Sequence, residues 1–152
     1  MAIERTLVLL KPDAVQRGLC GPIITRLEAT GLKIVAMKLM QVDEALARRH
    51  YSAHDGKPFF PGLIKFITSS PIVAMVLEGK GAIALARKEM GETDPAKAAP
   101  GSIRAMYATD IGRNIIHGSA DAQDAQREIS IFFSPAEIIA WRRDSEGWIT
   151  ES

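Results

Sequence analysis

An α+β sandwich, with one four-stranded antiparallel sheet covered by helices, is the fold class this sequence predicts, and three observations carry the prediction. Apolar runs of strand length alternate with segments of helical periodicity in the order β, α, β, α, α, β, α, β, α. No internal repeat, low-complexity stretch or linker-like composition divides the chain, so residues 1–152 read as a single domain. Hydrophobic residues make up 47% and charged residues 24%. That is the balance of an ordinary globular chain, which at this length buries about two-thirds of the surface its unfolded form exposes.

The run Thr6 to Leu10, "TLVLL", ends at Lys11-Pro12 and suits a strand buried on both faces. In "GPIITRLEATG", Pro22 fits the first helical position, Ile23, Ile24 and Leu27 share one face, and Gly31 stops the helix. "LKIVAMKLMQV" reads as a long strand with Ile34 and Ala36 on one side and Val35, Met37 and Leu39 on the other. Asp43 caps a short helix through His50, and the turn-rich "DGKPFFPG" leads into a helix whose stripe is Leu63, Ile64, Phe66 and Ile67. "PIVAMVLEG" reads as a central strand and "GAIALARKEMG" as a helix between glycines. From Glu92 to Arg113 two prolines and weak periodicity predict a long ordered loop, of the kind that usually carries function. Beyond it, Asp121 caps a short helix, and "EISIFF" alternates as the fourth strand with Ile129, Ile131 and Phe133 on one face. The capping box Ser134-Pro135-Ala136-Glu137 opens the last helix.

Nineteen basic against eighteen acidic residues leave a net charge of +1, so no global field draws the protein to nucleic acid or anionic lipid. Any anion site must be local. A single cysteine, Cys20, excludes an internal disulfide and a thiolate metal cluster and points to a reducing compartment. The N-terminal apolar run is too short for a signal-peptide core or a membrane span, so the expected location is cytoplasmic.

"RNIIHGSAD", Arg113 to Asp121, sets His117 between an isoleucine pair and a glycine. Imidazole has an unperturbed pKa of about 6.5, which leaves roughly three-quarters of it neutral and nucleophilic at pH 7. A nucleophile needs an open approach, a partner that fixes the ring, and donors that hold the electrophile. Gly118 removes a side chain beside the ring, Ser119 offers a hydroxyl, and Glu128, at the head of the predicted last strand, can return a carboxylate to one ring nitrogen. By itself His117 reads first as a satisfied histidine at the end of a strand, and Glu128 as a solvated helix end. Arg113, Asn114, Arg104 and Thr93 change the weighing, because they are anion and hydroxyl ligands without any Cys or His set for zinc. That inventory favours phosphate chemistry.

Four segments in order, "TLVLLKPDAVQRGL", "KPFFPGL", "ARKEMGETDPAKAAPGSIR" and "GRNIIHGS", followed by "EGWI", resemble nucleoside diphosphate kinase over almost the whole chain. The resemblance implies a ferredoxin-like α/β sandwich and a two-step transfer of the terminal phosphoryl group from a nucleoside triphosphate to a nucleoside diphosphate. It implies that His117 is the nucleophile and becomes a phosphohistidine. Lys11, Arg87 and Arg104 match phosphate-contacting cations, and guanidinium suits bidentate phosphate contact. Thr93 matches a hydroxyl donor to phosphate, and Asn114, with Lys11, a partner of the sugar hydroxyls. Phe59 matches the aromatic on which the base stacks and Ile111 the apolar residue opposite, while Phe60 faces the core; stacking on a π-face tolerates every base. Tyr51 matches a residue near the nucleophile and Lys11. Ser119 and Glu128 match the pair that supports the histidine, with Ser119 also placed to reach the transferred group.

The resemblance further implies Mg2+ carried by the nucleotide and held mainly by phosphates and water, with no protein ligand assigned. One departure bears on this: the family runs His-Gly-Ser-Asp, whereas here Ala120 follows Ser119 and Asp121 comes one place later. A carboxylate contact to the metal through water at position 120 is therefore in doubt. Pro95 and the tail through "GWITES" match hexameric members, so a homohexamer is expected. Two rival classes are a regulatory or nucleic-acid-binding protein, which the near-zero charge disfavours, and a histidine phosphocarrier, which would not need Phe59 beside Asn114 and three cations.

Overall fold

The structure, a computed structural model, describes residues 2–151. Strands β1 (Ile3–Leu10) and β3 (Ile72–Lys80) form the centre of a four-stranded sheet, flanked by β2 (Lys33–Met40) and β4 (Ile116–Gly118). The order is β2-β3-β1-β4, with every neighbouring pair antiparallel. This is the antiparallel α/β sandwich expected. Val8, Leu10, Met75 and Leu77 face one apolar layer, and Leu7, Leu9, Ala74 and Val76 face another. Both faces of the central strands are dry, which is why "TLVLL" is apolar without alternation.

Helices α1 (Pro12–Gln16), α2 (Cys20–Ala29), α5 (Ala82–Met90) and α6 (Ile103–Tyr107) send Ala14, Ile23, Leu27, Ala86, Met90 and Ile103 into the first layer. Helices α3 (Glu44–His50), α4 (Phe60–Ile67) and α7 (Ala122–Phe132) send Ala47, Phe60, Ile64, Ile67 and Phe132 into the second. Leu7, Leu9, Leu10 and Ile67 are fully enclosed, and each such side chain stabilises the fold by about 1.5–3 kcal/mol relative to exposure. Phe60 is 5% exposed and Phe59 51%, so Phe60 is the core member of the pair and Phe59 stands at the surface.

The last strand is corrected. "EISIFF" is not a strand: Glu128 to Phe132 continue α7, and the fourth strand is the three-residue segment around His117. Ile129, Ile131 and Phe133 mimic a period of two, but Ala125, Glu128 and Phe132 form the buried helical face. The Asp121 side chain accepts the Asp124 N–H at 2.8 Å, and the helix it starts runs through the supposed strand. Three residues are too few for any periodicity to show, so β4 exists only by pairing with β1.

Smaller differences have equally local causes. A bulge between Ile34 and Ala36 puts Val35 and Ala36 in the same layer, opposite to the expected pairing of Ile34 with Ala36. The Val35 carbonyl accepts Ile139 N–H at 2.9 Å instead. Helix α2 begins at Cys20 rather than Pro22, which lies within the first turn, where an amide proton has no helical partner. The loop from Glu92 contains α6, capped by the Ser102 hydroxyl at Ala105 N–H. The Ser134 and Glu137 capping box is present but closes only a single 3-10 turn, Pro135–Glu137.

Candidate active site

His117 lies on β4 opposite Leu9, and strand alternation turns its ring away from Ile116 and Gly118, toward α3 and α7. Helix α7 brings Glu128 up from the same side. His117 Nε2 meets Glu128 Oε2 at 2.9 Å, and the other carboxylate oxygen accepts the Ser119 hydroxyl at 2.7 Å. Ser119 in turn accepts Leu7 N–H at 3.2 Å and is fully enclosed. It supports the carboxylate from behind and does not line the cleft, so the expected contact of Ser119 with a transferred group has no geometric basis here.

Burial alone would raise the Glu128 carboxyl, but the hydrogen bond and charge of His117, the Ser119 hydroxyl and nearby His50 hold it at about 2. A carboxylate lowered from 4.5 by its folded partners stabilises the fold above that value, and the contribution disappears as pH falls toward 2.

A strained turn feeds β4. Ile115 has φ of +65°, and Ile116 N–H donates to Asn114 C=O at 2.8 Å, the geometry of the rare γ-turn form. Such a conformation for a β-branched residue costs about 1–3 kcal/mol and survives only where its surroundings over-determine it. Asp13 Oδ2 accepts Ile115 N–H at 3.0 Å, and Lys11 N–H donates to Ile115 C=O at 2.9 Å. Arg104 completes the clamp: its guanidinium donates to the carbonyls of Gly91 (2.9 Å), Asn114 (3.3 Å) and Ile116 (2.5 Å). The turn directs Asn114 back across the cleft floor, where Oδ1 accepts Lys11 Nζ at 2.8 Å and Nδ2 donates to Thr93 C=O at 3.0 Å.

These elements enclose a cleft of about 450 Å³ that gathers every residue of the expected site except Ser119, Ile111 and Arg113, whose guanidinium stacks 4.1 Å from the Phe66 ring centroid instead. Ile111 is 59% exposed in the loop before β4 and stands outside the lining. Lys11, Arg87 and Arg104 converge on the cleft with Arg127, for which the sequence has no local signal. Burial, then the charge of Arg104, pushes the Lys11 ammonium down to about 8, with Asp13 partly opposing. Burial and the charge of Arg87 likewise bring Arg104 down to about 10. A bound anion would raise both again. Burial, with the charge of Glu128, pushes the Tyr51 phenol up to about 12, so it remains a proton donor.

The reason for Gly118 also differs from the expected one. A Cβ there would lie 2.5 Å from Met90 Sδ, so the glycine makes room for buried Met90 rather than an approach to the ring. Asp121 is committed to capping α7, so it does not replace the carboxylate absent at Ala120. His50, His54 and Asp124 line the cleft as well; His54 sits 5.3 Å from the Phe59 ring centroid. The "RRHYSAH" stretch gave no periodic or motif signal for the two histidines. A larger cavity of about 840 Å³ lies against Ile3, Ile83, Ile129 and Phe133, but Arg5, its one guanidinium, is already paired with Glu78 at 2.8 Å.

The family model for nucleoside diphosphate kinase matches residues 4–138. A nucleoside diphosphate kinase of Chloroflexus aggregans is 58% identical over 151 residues, covering 98% of this chain and 100% of the relative. One from a Roseiflexus species is 55% identical over 149 residues, with the same coverage of both chains. Among solved structures, a halophilic nucleoside diphosphate kinase from Halobacterium salinarum in complex with CDP aligns with TM-score 0.96 and 52% identity, covering 99% of this chain and 100% of that one. A family member from Babesia bovis aligns with TM-score 0.94 and 41% identity over 97% of this chain and 99% of its own.

Proposed function

The chain belongs to the nucleoside diphosphate kinase family and transfers the terminal phosphoryl group of a nucleoside triphosphate to a nucleoside diphosphate; from that premise we propose that it does so in two steps through a phosphohistidine at His117. One observation carries the reading. His117 Nε2 is occupied by Glu128, while Nδ1 has no hydrogen-bond partner among the described residues, in a cleft lined by four cationic side chains.

In the first step the Nδ1 lone pair forms the bond to the γ-phosphorus as the bridging oxygen bond breaks, and the diphosphate leaves with that electron pair. The ring keeps its proton on Nε2 and becomes cationic, and the carboxylate beside it offsets the charge. A second diphosphate reverses the sequence. Charge spreads over the transferring oxygens, so catalysis is mostly positioning and cationic stabilisation by Lys11, Arg87 and Arg104, with the Thr93 and Tyr51 hydroxyls as further donors. Arg104 has five N–H groups and spends three on carbonyls, which leaves donors for phosphate. Asn114 and Lys11 hold the sugar, and exposed Phe59 stacks the base with little hydrogen-bond readout, hence broad acceptance of base and sugar. Ile111 completes the slot if its loop closes toward Phe59. The CDP complex of the Halobacterium relative supports a nucleotide in this cleft.

Magnesium arrives with the triphosphate. Asp124 and Glu128 are the carboxylates of the lining, and Glu128 is engaged by His117 and Ser119, so the cleft fits an ion kept on phosphates and water rather than in a protein cage. Residues 1–152 act as one domain, in the cytoplasm; among the described residues no helix is long and apolar enough to cross a membrane. Six copies assemble: Met37 (52% exposed) and Leu39 (68%) leave the β2 edge apolar and uncovered in the single chain, the kind of edge that proteins otherwise protect. A light-scattering mass of two or four chains would overturn the hexamer.

Mixing enzyme with γ-labelled ATP is expected to leave acid-labile, alkali-stable label on the protein, which GDP then releases as labelled GTP. Label passing straight to GDP with no protein-bound stage would exclude the two-step route. Lys11 supplies a separate test. Between about pH 8 and 10.5 the folded chain binds fewer protons at Lys11 than the unfolded one, so the nucleotide-free protein gains stability from this group as pH rises. Nucleotide phosphates restore that proton. Binding near pH 9 is therefore expected to take up roughly one proton, seen as a buffer-dependent calorimetric enthalpy that Lys11→Met abolishes.

A further inference from the structure

At the back of the cleft lining stands a side chain that phosphoryl transfer does not use. His50 closes α3, is 4% exposed, and neither ring nitrogen has a hydrogen-bond partner among the described residues. Buried polar groups are nearly always paired, so an imidazole with both nitrogens idle asks for an explanation. Its ring packs edge-on against Phe132 at 5.2 Å and perpendicular to His117 at 4.9 Å between centroids. Its Nδ1 lies 3.7 Å from Glu128 Oε2, beyond hydrogen-bond reach. One nitrogen of His50, one of His117 and a carboxylate oxygen of Glu128 all fall within 4.8 Å of one another.

We propose that His50, His117 and Glu128 form an inhibitory Zn2+ site that captures the nucleophile from behind. Zinc takes nitrogen at about 2.0–2.1 Å and carboxylate oxygen at about 2.0–2.2 Å, which sets tetrahedral edges of about 3.3–3.4 Å. The 2.9 Å edge from His117 Nε2 and the 3.7 Å edge from His50 Nδ1 straddle that length, and the imidazole nitrogens, within 4.8 Å of each other, draw together by side-chain rotation as the ion enters. Two imidazoles and one carboxylate are a recurring zinc donor set, and the fourth position is left for water from the cleft. Mg2+ asks for oxygen in octahedral geometry, so the ion that accompanies the nucleotide does not compete for these nitrogens. Arg127 Nη2, 3.9 Å from Glu128 Oε2, opposes a dication, but its side chain is 40% exposed and free to turn outward.

The effect on transfer rests on His117 as nucleophile; the binding does not. Zinc on Nε2 takes the lone pair there, and the proton that Nε2 shared with Glu128 moves to Nδ1, so the ring has no lone pair left at Nδ1 with which to attack phosphorus. Because the ion sits on the side of the ring away from Nδ1, nucleotide still binds, and the loss falls on kcat rather than KM.

Metal-free enzyme is titrated with Zn2+ against a chromophoric chelator, and with Co2+ alone as a spectroscopic probe. One ion per chain is expected, with tetrahedral cobalt bands. His50→Phe should weaken binding at least about tenfold, since losing a ligand exceeds the loss of a ligand's outer partner. His50→Gln, which keeps a polar group, gives the same result should Phe disturb folding. No binding at micromolar zinc, octahedral cobalt, or equal affinity in wild type and both variants overturns the site. Zinc bound through His50 with kcat unchanged overturns the inhibition and leaves phosphohistidine labelling as the separate test of the nucleophile.

Discussion

His117→Ala is expected to abolish both protein-bound label and turnover, lowering kcat by roughly four to six orders of magnitude, the scale seen when a covalent nucleophile is removed. The fold should survive. His117 is only partly buried, and the backbone pairing of β4 with Leu9 does not involve its side chain. What changes behind it is Glu128, which loses its 2.9 Å partner but keeps Ser119 at 2.7 Å. Its carboxyl should therefore rise from about 2 toward the ordinary range, and the variant should lose less stability than wild type as pH falls from about 4.5 to 2. Nucleotide affinity should change little, because sugar, base and phosphate contacts are assigned to other residues. The measurements are rapid-quench labelling, equilibrium nucleotide binding and denaturant unfolding across that pH range. Retained label would move the nucleophile to another side chain; lost binding would mean that the ring helps hold the ground state.

Arg104→Ala should damage two properties at once. In the nucleotide-free chain its guanidinium satisfies three carbonyls at the floor of the cleft, two of them on either side of the strained Ile115. Removing it leaves those acceptors short of partners and releases the clamp on the turn, at a cost of about 3–5 kcal/mol for a buried charged group with several bonds. Asn114 then loses its orientation toward Lys11, so affinity for the sugar falls together with the phosphate contact. Arg104→Lys should not rescue it, because a single ammonium cannot span the three carbonyls. Arg87→Ala is the contrast. Arg87 is exposed and donates once, to Gly118 C=O at 3.2 Å, so stability should move by less than about 1 kcal/mol while turnover drops. Urea unfolding and steady-state kinetics on the pair separate the roles. Equal destabilisation by both substitutions would remove the clamp from the account.

Much of the candidate site is legible in the sequence. Lys11 at the end of a buried strand, Phe59 beside Phe60, and the spacing of Arg87, Thr93, Arg104, Asn114 and His117 could be matched segment by segment to a known family. Ser119 was legible as a partner of Glu128 but not as a group sealed away from the cleft. His50 and Arg127 were not legible, because nothing in a local window distinguishes them from neighbouring helix-end residues. Glu128 was assigned to a strand, since three apolar residues two apart satisfy that template as well as they satisfy part of a helix. Its contact with His117 was nevertheless foreseeable, because a carboxylate returning to an imidazole needs only proximity, and both the imagined strand and the real helix supply it.

Periodicity, caps and breakers are properties of residues a few positions apart, and they determined the fold class, five of the seven α-helices and three of the four strands among the described residues, and the inventory of imidazole, guanidinium and aromatic groups. The tertiary structure alone decided which three residues pair as β4, that Nε2 rather than Nδ1 is occupied, and that Arg104 braces a strained turn. These depend on contacts such as Lys11 with Asn114 and Leu7 with Ser119, 103 and 112 positions apart, made when the sheet closes. Hydrogen-bond direction at such distances follows from how whole layers pack, and no short stretch of chain contains it.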